Sequence, residues 1–139
     1  MTLANFDSSL QVPYQQLLPH MEQMYSFNQI WNKAYGEDGS VAFHPYYKNL
    51  YLRDSNYKKF GFSHLYTLDS DPEIEHQDRL DNSPNVSDAA AYQNVLDSIN
   101  SVDHPQFIQL VTMQNHMPYN DYYADNEFKA ADTSPLPDG

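Results

Sequence analysis

The sequence contains no cysteine among its 139 residues. This absence excludes disulfide bonds, thiol catalysis and cysteine-based zinc sites, and it is compatible with an extracellular location without requiring one. Glycine is also scarce, with four residues, which leaves little room for a glycine-rich phosphate-binding loop. Neither G-x-S-x-G nor H-E-x-x-H occurs, so the sequence shows no hydrolase nucleophile elbow and no self-contained zinc-protease site.

Long hydrophobic runs and basic residues are both lacking. No stretch approaches the roughly 18 consecutive apolar residues of a transmembrane helix, and the first residues lack the basic start and apolar stretch of a signal peptide. We therefore expect no membrane span and no signal peptide in this chain. Seven Lys and Arg residues stand against nineteen Asp and Glu, a net charge of −12 that argues against binding nucleic acid or anionic membranes through the whole surface.

The charges are unevenly distributed along the chain. Five of the seven basic residues lie between positions 33 and 59, which leaves room for a local anion site there. Fourteen of the nineteen acids lie after position 60. The acidic, proline-containing segment 69–85 is predicted to be a solvated loop. A calcium-binding loop is the alternative, but no glycine follows the acids where an EF-hand loop needs one.

Apolar and aromatic residues are plentiful enough to build a core. They make up 40% and 14% of the sequence, and include twelve Tyr and seven Phe. A chain of this length fits one domain and can bury about two thirds of its unfolded surface. We expect this domain to span residues 1–123 and to be followed by a flexible tail over 124–139, which has the composition of a chain terminus.

Apolar periodicity and capping signals predict alternating helices and strands. The predicted elements are mostly helical residues 13–31 with an interruption at Pro19, a helix capped by Ser26 and ended by Gly36 and Gly39, a strand over 40–43, a helix over 53–60, a strand over 62–68, a helix capped by Ser87, and a strand over 107–113. The predicted apolar helix faces carry Ile30 and Tyr35, and then Ala91, Val95, Leu96 and Ile99. This order favours an α/β fold with a mostly parallel sheet, which we expect to be incomplete because the chain is short for such a fold.

Two histidines stand just past apolar strands, His44 after the strand over 40–43 and His116 after the strand over 107–113. Ligands in open α/β sheets gather at the carboxyl ends of strands, so both imidazoles face one crevice if the two strands are parallel neighbours. Arg53 lies beyond His44, across a tyrosine-rich loop. A guanidinium that grips two oxygens and imidazole N–H donors suit a phosphate, and Tyr51 is placed to stack on a small polyol. The alternative for each side chain is a purely structural role.

Residues 41–62, V-A-F-H-P-Y-Y-K-N-L-Y-L-R-D-S-N-Y-K-K-F-G-F, resemble the lipoteichoic acid synthase family. These proteins are phosphoglycerol transferases of the sulfatase and alkaline-phosphatase superfamily. Three further segments resemble the family in the expected order: V-P-Y-Q-Q at 12–16, the helix that starts at Ser87, and residues 105–119, which include a T-x-x-N-H-x-P-Y loop. The resemblance implies that the α/β fold is part of a sulfatase-like, alkaline-phosphatase-like layered domain.

The resemblance also implies a substrate site. His44, Tyr51, Arg53 and His116 match positions that hold the glycerol-phosphate head group in the family, in agreement with the crevice argument above. The family commonly has Trp in place of Tyr51 and Asn in place of Leu52. The implied reaction of the family is the transfer of phosphoglycerol from a phosphatidylglycerol-like lipid to a polymer or glycolipid acceptor.

Family members use a Thr nucleophile and a divalent cation, manganese or magnesium. The Thr and a metal-binding acid lie upstream of the V-P-Y-Q-Q-like segment, and an Asp-His metal pair lies in a Gly-Asp-His motif downstream of the Asn-His loop. In this chain Thr2 lacks the flanking acidic motif, and Asp121 and Asp125 have no Gly-Asp-His context. We therefore expect the catalytic residues and metal ligands to be absent, and the chain by itself to bind the head group without turnover.

The leading hypothesis is a fragment of an extracytoplasmic phosphoglycerol transferase of cell-wall lipoteichoic acid synthesis, from a membrane-associated parent. Its expected partners are the glycerol-phosphate head group of an anionic lipid or teichoic acid polymer and the remainder of the catalytic domain, with no nucleic acid. Three alternatives stay open. They are a non-catalytic module that binds phosphorylated polyols or cell-wall polymers, a fragment of a sulfatase-family hydrolase, and an acidic interaction or structural domain.

Overall fold

The computed structural model describes residues 13–22, 24–118 and 120–125. The α-helices are α1 (Pro13–Gln16), α2 (Asn28–Tyr35), α3 (Arg53–Lys59) and α4 (Asp88–Ser101), and the strands are β1 (Ser40–Phe43), β2 (His64–Tyr66) and β3 (Phe107–Leu110). Short 3₁₀ turns occupy Leu18–His20, Gly36–Asp38 and Leu50–Leu52. Most of the predicted tail, residues 126–139, lies outside the described residues, as does Thr2. Within the described ranges, no helix is both long and apolar enough to cross a membrane.

The three strands form a parallel sheet in the order β2-β1-β3. The central strand β1 is buried along its whole length because it has a neighbour on each side and side-chain layers on both faces. Helix α3 connects β1 to β2, and α4 precedes β3. The predicted α/β class and parallel sheet are confirmed. Since the strands are parallel, their carboxyl ends meet at one edge, where the segments that follow β1 and β3 run side by side.

The core has two parts, one on each face of the sheet. Alternate residues of β1 point to opposite faces, as the pleat of a strand requires. Ala42 packs with Phe60 and the other members of the first cluster, which are Leu18, Tyr57 and Phe62. Val41 and Phe43 pack with Ile74 in the second cluster. The acidic segment 69–85 is therefore anchored in the core through Ile74 rather than solvated throughout.

The predicted helix over 13–31 is wrong between α1 and α2, where residues 24–26 have no helical structure. Helix α2 begins at Asn28, and the residue at its N-cap position, Phe27, makes no side-chain capping hydrogen bond. Ser26 instead turns inward and donates its hydroxyl proton to the carbonyl of Phe60 at 2.9 Å. The predicted capping role of Ser26 is therefore wrong, because a buried carbonyl competes for its hydroxyl.

The apolar face predicted for α2 is also wrong. Ile30 and Tyr35 are 50% and 41% exposed, whereas the inward face is polar. The side-chain amides of Asn28 and Gln29 donate to the carbonyl of Phe60 at 3.1 and 3.0 Å. These donors are needed because α2 packs against the C-terminal end of α3, where helix carbonyls have no partner within their own helix.

Helix α4 is confirmed, but its buried face is rotated from the predicted one. Ala91 is buried and Val95 packs on the second core cluster, whereas Leu96 and Ile99 are each 51% exposed. Asn94 is buried in their place. Its carboxamide oxygen accepts hydrogen bonds from the backbone N–H groups of residues 75 and 76. The face of α4 that holds the acidic loop is therefore not the one that hydrophobic periodicity predicted to be buried.

Ser87 caps α4 as predicted, because its hydroxyl oxygen accepts the backbone N–H of Ala90 at 3.2 Å. Replacing Ser87 with alanine is expected to lower the free energy of unfolding by about 1 kcal/mol, since the donor at the helix start loses its partner. Chemical denaturation monitored by circular dichroism measures this change. Ser87→Asp keeps an acceptor at the cap and should stay near the parent stability. An equal loss in both variants would contradict the capping role.

Candidate functional site

His44 lies at the carboxyl end of β1 and is fully buried, with 0% of its surface exposed. Its backbone N–H donates to the carbonyl of Tyr66, the last residue of β2, at 2.9 Å. Its ring nitrogen Nδ1 lies 3.3 Å from the carbonyl oxygen of Val111, which follows β3. Contacts with the ends of both neighbouring strands thus hold the imidazole in place. The other ring nitrogen, Nε2, is buried and has no partner among the described residues.

The environment of His44 lowers its pKa from 6.5 to about 4. Burial is the largest cause, followed by the positive charge of Arg53; His116 adds to the effect, and the Val111 carbonyl and Asp69 oppose it. His44 is therefore neutral near pH 7. Because a carbonyl only accepts, the ring proton sits on Nδ1, and Nε2 offers a lone pair. A neutral His44 thus presents an acceptor to the crevice rather than the N–H donor that the sequence argument expected.

Arg53 is the first residue of α3 and follows two residues in the left-handed conformation, Tyr51 with φ 55° and Leu52 with φ 56°. Such a conformation costs an L-residue roughly 1–2 kcal/mol. Consecutive strain of this kind persists where the surrounding structure enforces it, and it is frequent at functional sites. The strained turn places the ring of Tyr51 beside Arg53, with the guanidinium carbon 5.7 Å from the ring centroid.

The guanidinium of Arg53 keeps binding capacity free. Its Nη1 donates to the hydroxyl of Tyr57 at 3.2 Å, whereas its Nε is buried and has no partner. Among the described residues, no carboxylate forms an ion pair with it. A guanidinium with unused donors beside the fully buried His44 is suited to an oxyanion with a neighbouring hydroxyl.

His116 lies in the loop after β3 and is partly exposed. Its Nδ1 is 2.7 Å from the carbonyl oxygen of Met117. Its electrostatic interaction with His44 contributes to the lowered pKa of His44. The structure therefore brings His44, Arg53 and His116 to the carboxyl edge of the sheet, with Tyr51 against Arg53. Because β1 and β3 are parallel neighbours, the condition on which the crevice prediction depended is met.

A cavity of about 390 Å³ adjoins His116. Its lining includes Tyr46, Tyr47, Arg79 and Asn85 in addition to His116. The sequence reasoning missed Arg79, because this residue lies within the acidic segment that was predicted to be a solvated loop. A signal was available, since Arg53 and Arg79 are the only two arginines of the chain.

The sequence model of the sulfatase family matches residues 4–135. The chain belongs to the sulfatase family. The phosphoglycerol transferase GacH of Streptococcus pyogenes, in complex with sn-glycerol-1-phosphate, superposes on this sulfatase-family chain with a TM-score of 0.66 and 28% sequence identity. The match covers 86% of this chain and 30% of GacH.

The lipoteichoic acid synthase LtaP of Listeria monocytogenes shares the fold, with a TM-score of 0.52 and 23% identity over 68% of this chain and 22% of LtaP. No curated protein matches the chain. The chain thus spans less than a third of each of these two solved structures. The predicted resemblance to phosphoglycerol transferases of the sulfatase superfamily is confirmed.

The described residues do not form a metal site in the crevice. Among the described residues, Asp69 is the one carboxylate whose charge acts on His44, and its Oδ1 already accepts hydrogen bonds from the backbone N–H of Lys48 and the hydroxyl of Thr67. Glu75, His76 and Asp97 bring three potential ligand atoms within 4.8 Å of one another, but His76 Nε2 is already bonded to Asp97 at 2.6 Å. Since none of these three lines the cavity beside His116, they do not fit the divalent cation that the family resemblance implies.

Proposed function

We propose that this sulfatase-family chain binds a glycerol-phosphate head group through His44, Tyr51, Arg53 and His116. The observation that carries the proposal is the presence of two buried polar atoms without partners, His44 Nε2 and Arg53 Nε, in residues that interact electrostatically. Buried polar atoms are almost always hydrogen-bonded. A ligand that forms hydrogen bonds with both atoms is therefore the simplest explanation for their lack of a partner. GacH, which holds sn-glycerol-1-phosphate, supports the same ligand class.

The protonation states suggest a role for each side chain. Arg53 supplies N–H donors to the phosphate oxygens, in the paired geometry that guanidinium groups favour. His44 Nε2, which carries a lone pair, accepts a hydrogen bond from a hydroxyl of the glycerol. Tyr51 covers the polyol from the solvent side, because its ring already lies beside Arg53. His116 completes the ring of polar groups from the loop after β3.

We propose further that the chain belongs to an extracytoplasmic phosphoglycerol transferase that acts on an anionic lipid or teichoic acid polymer during cell-wall synthesis. The family, the GacH likeness and the head-group site support this reading. The nucleophile and the divalent cation are then supplied by another part of the catalytic domain. Exposed apolar side chains on α4, Leu96 and Ile99 among them, lie on a surface that such a part would cover.

A non-catalytic module that binds phosphorylated polyols is the second candidate. It is favoured by the placement of all four proposed contact residues on adjoining segments of this one chain, with no second chain needed to bring them together. The two candidates differ in turnover rather than in binding. Phosphoglycerol release from phosphatidylglycerol in the presence of manganese, compared between this chain and a chain extended by its flanking gene sequence, distinguishes them.

Titration of the ¹⁵N-labelled chain with sn-glycerol-1-phosphate tests the binding proposal. The amide resonances of His44, Arg53 and His116 should shift together along one binding curve, whereas those of α2, which contacts the amino end of β1, should stay in place. Inorganic sulfate at the same ionic strength is the control for unspecific anion effects. A dispersed spectrum in which no resonance near His44 moves would refute the head-group site.

Proton uptake on binding provides a further prediction. If His44 Nε2 accepts a hydrogen bond from a glycerol hydroxyl, sn-glycerol-1-phosphate should bind at pH 8 with no net proton uptake, because His44 stays neutral in both states. Calorimetry in two buffers with different ionisation enthalpies should then give the same binding heat. Uptake of close to one proton would instead show that His44 becomes cationic and donates to the phosphate. His44→Gln, which keeps a side-chain acceptor, is the matched variant.

A further inference from the structure

Three of the four proposed contact residues lie along the segment that runs from the end of β1 to the start of α3. Backbone pairing attaches this segment to the chain after β2 as far as Tyr46, whose carbonyl accepts the N–H of Leu68 at 3.0 Å. Two residues further on, the backbone N–H of Lys48 donates to Oδ1 of Asp69 at 2.8 Å. The side chain of Asp69 therefore continues the attachment of the segment beyond the paired backbone.

Asp69 belongs to a turn that is fixed to the core. Thr67, with 0% of its surface exposed, donates a hydrogen bond from its hydroxyl to Oδ1 of Asp69 at 2.9 Å. The backbone N–H of Thr67 donates to the hydroxyl oxygen of Ser70 at 2.7 Å, and its carbonyl accepts the N–H of Ile74, a member of the second core cluster, at 3.0 Å. Because the backbone groups and the hydroxyl of Thr67 are all bonded, the carboxylate that accepts from Lys48 is held in place.

Lys48 transmits this attachment to α3. Its carbonyl accepts the backbone N–H of Asp54, the residue after Arg53, at 3.0 Å. This hydrogen bond spans the strained turn with its two left-handed residues, a conformation that persists where surrounding contacts enforce it. Lys48 is thus bonded at its N–H to Asp69 and at its carbonyl to the start of α3, and the guanidinium of Arg53 projects from the end of this chain of contacts.

The charge of Asp69 by itself does not favour an anionic ligand. Burial raises the pKa of its carboxyl, but the hydrogen bonds from the Lys48 N–H and the Thr67 hydroxyl outweigh burial and lower the pKa below its usual value. Asp69 is therefore ionised near pH 7, and its negative charge acts on His44. Because such a charge repels a phosphate nearby, any benefit of Asp69 to binding comes from the segment that its hydrogen bonds hold.

We propose that Asp69 is a positioning residue of the head-group site, which fixes Arg53 through the backbone of Lys48 without contacting the ligand. This inference rests on the proposed function, because Arg53 is taken to hold the phosphate. It gives the acidic segment 69–85, which the sequence argument treated as a solvated loop, a part in binding through its first residue.

The test compares the affinity of the full chain and of two Asp69 variants for sn-glycerol-1-phosphate by calorimetry. Asp69→Asn keeps an acceptor for Lys48 and Thr67 but removes the negative charge, so it should bind as tightly as the parent chain or up to about 2-fold more tightly. Asp69→Ala removes the acceptor as well and should bind about 10-fold more weakly, because the segment then has to be ordered on binding. If Asp69 acted through its charge alone, both variants would bind more tightly than the parent chain.

A double-mutant cycle separates the positioning of Arg53 from a general loss of structure. In an Arg53→Gln background, Asp69→Ala should weaken binding by less than about 2-fold, since the group that Asp69 positions is gone. The same loss in both backgrounds would show that Asp69 acts independently of Arg53 and would overturn the proposal. Glu73→Ala, which removes an exposed carboxylate from the same segment, is the matched control and should leave the affinity within about 2-fold.

Hydrogen exchange of the Lys48 and Asp54 amides provides a measurement that needs no ligand. Both amides should exchange faster in Asp69→Ala than in the parent chain and in Asp69→Asn, because the attachment of the segment is lost. Unchanged exchange in Asp69→Ala, or equal loss of affinity in the two Asp69 variants, would refute the positioning role. If the parent chain binds no sn-glycerol-1-phosphate although these amides respond as expected, the proposed function fails, while the hold of Asp69 on the segment is shown.

Discussion

Arg53→Gln is expected to weaken the binding of sn-glycerol-1-phosphate by about 10- to 100-fold. Each tenfold loss of affinity corresponds to about 1.4 kcal/mol, and this range is typical of losing a hydrogen bond to a charged group. The reason lies in the position of the guanidinium. Its Nε is buried without a partner, its Nη1 is oriented by Tyr57, and the strained turn at Tyr51 presents it at the carboxyl edge of the sheet. Calorimetric titration at constant ionic strength measures the change.

Two further variants separate specific contact from general charge. Lys58→Gln removes a positive charge from the exposed side of α3 and should leave affinity within about 2-fold, since exposed charges at a distance are screened by salt. Arg53→Lys keeps the charge but loses the planar fork, so it should bind at an intermediate level. If Lys58→Gln weakened binding as much as Arg53→Gln, the anion would be attracted by the overall field of α3 and Arg53 would have no special role.

Phe60→Ala should lower the free energy of unfolding by about 3–5 kcal/mol, the usual cost of deleting a buried aromatic ring. Phe60 is 0% exposed and packs between α3 and the sheet with Ala42 and Tyr57. Its carbonyl also accepts hydrogen bonds from Ser26, Asn28 and Gln29, so a shift of this backbone would weaken all three. Chemical denaturation with a full urea series gives the free energy.

Phe27→Ala is the matched control, because Phe27 is the same residue type but is 63% exposed at the start of α2. Its replacement should change the stability by less than about 0.5 kcal/mol, as is usual for surface substitutions. Comparable losses in the two variants would mean that the exposed side of α2 is covered in solution. Similar stability of Phe60→Ala and the parent chain would contradict the core described above.

The elements found from the sequence are those whose signals are local. The strand over 40–43 contains three consecutive apolar residues and ends just before His44 and Pro45, and Ser87 marks the start of α4 with a cap that needs only the next turn. Gly61, with φ +73°, follows the C-cap residue of α3, because glycine adopts this conformation at no steric cost. These features depend on neighbours a few residues away and so survive any change in tertiary context.

The predictions that were wrong concern helix faces whose burial depends on partners far away in the sequence. The inward face of α2 is polar because the carbonyls at the end of α3 lie there, 31 and 32 residues away in the sequence for Gln29 and Asn28. Asn94 is buried on α4 because it bonds to the backbone of the acidic loop. Hydrophobic periodicity assumes that a buried face is apolar, and this assumption fails wherever a helix satisfies backbone groups of another segment.

For the candidate site, the sequence by itself determined the residue types and their order: two histidines after apolar strands, an arginine after a tyrosine-rich loop, and a resemblance that named the family. Only the tertiary structure decided which atoms are available. The pairing of β1 with β3 joins His44 Nδ1 to the Val111 carbonyl, which leaves Nε2 as an acceptor, and the folding of the acidic loop brings Arg79 to the cavity of His116. The physical reason is that protonation and access depend on burial and on contacts between segments far apart in sequence, and composition and spacing record neither.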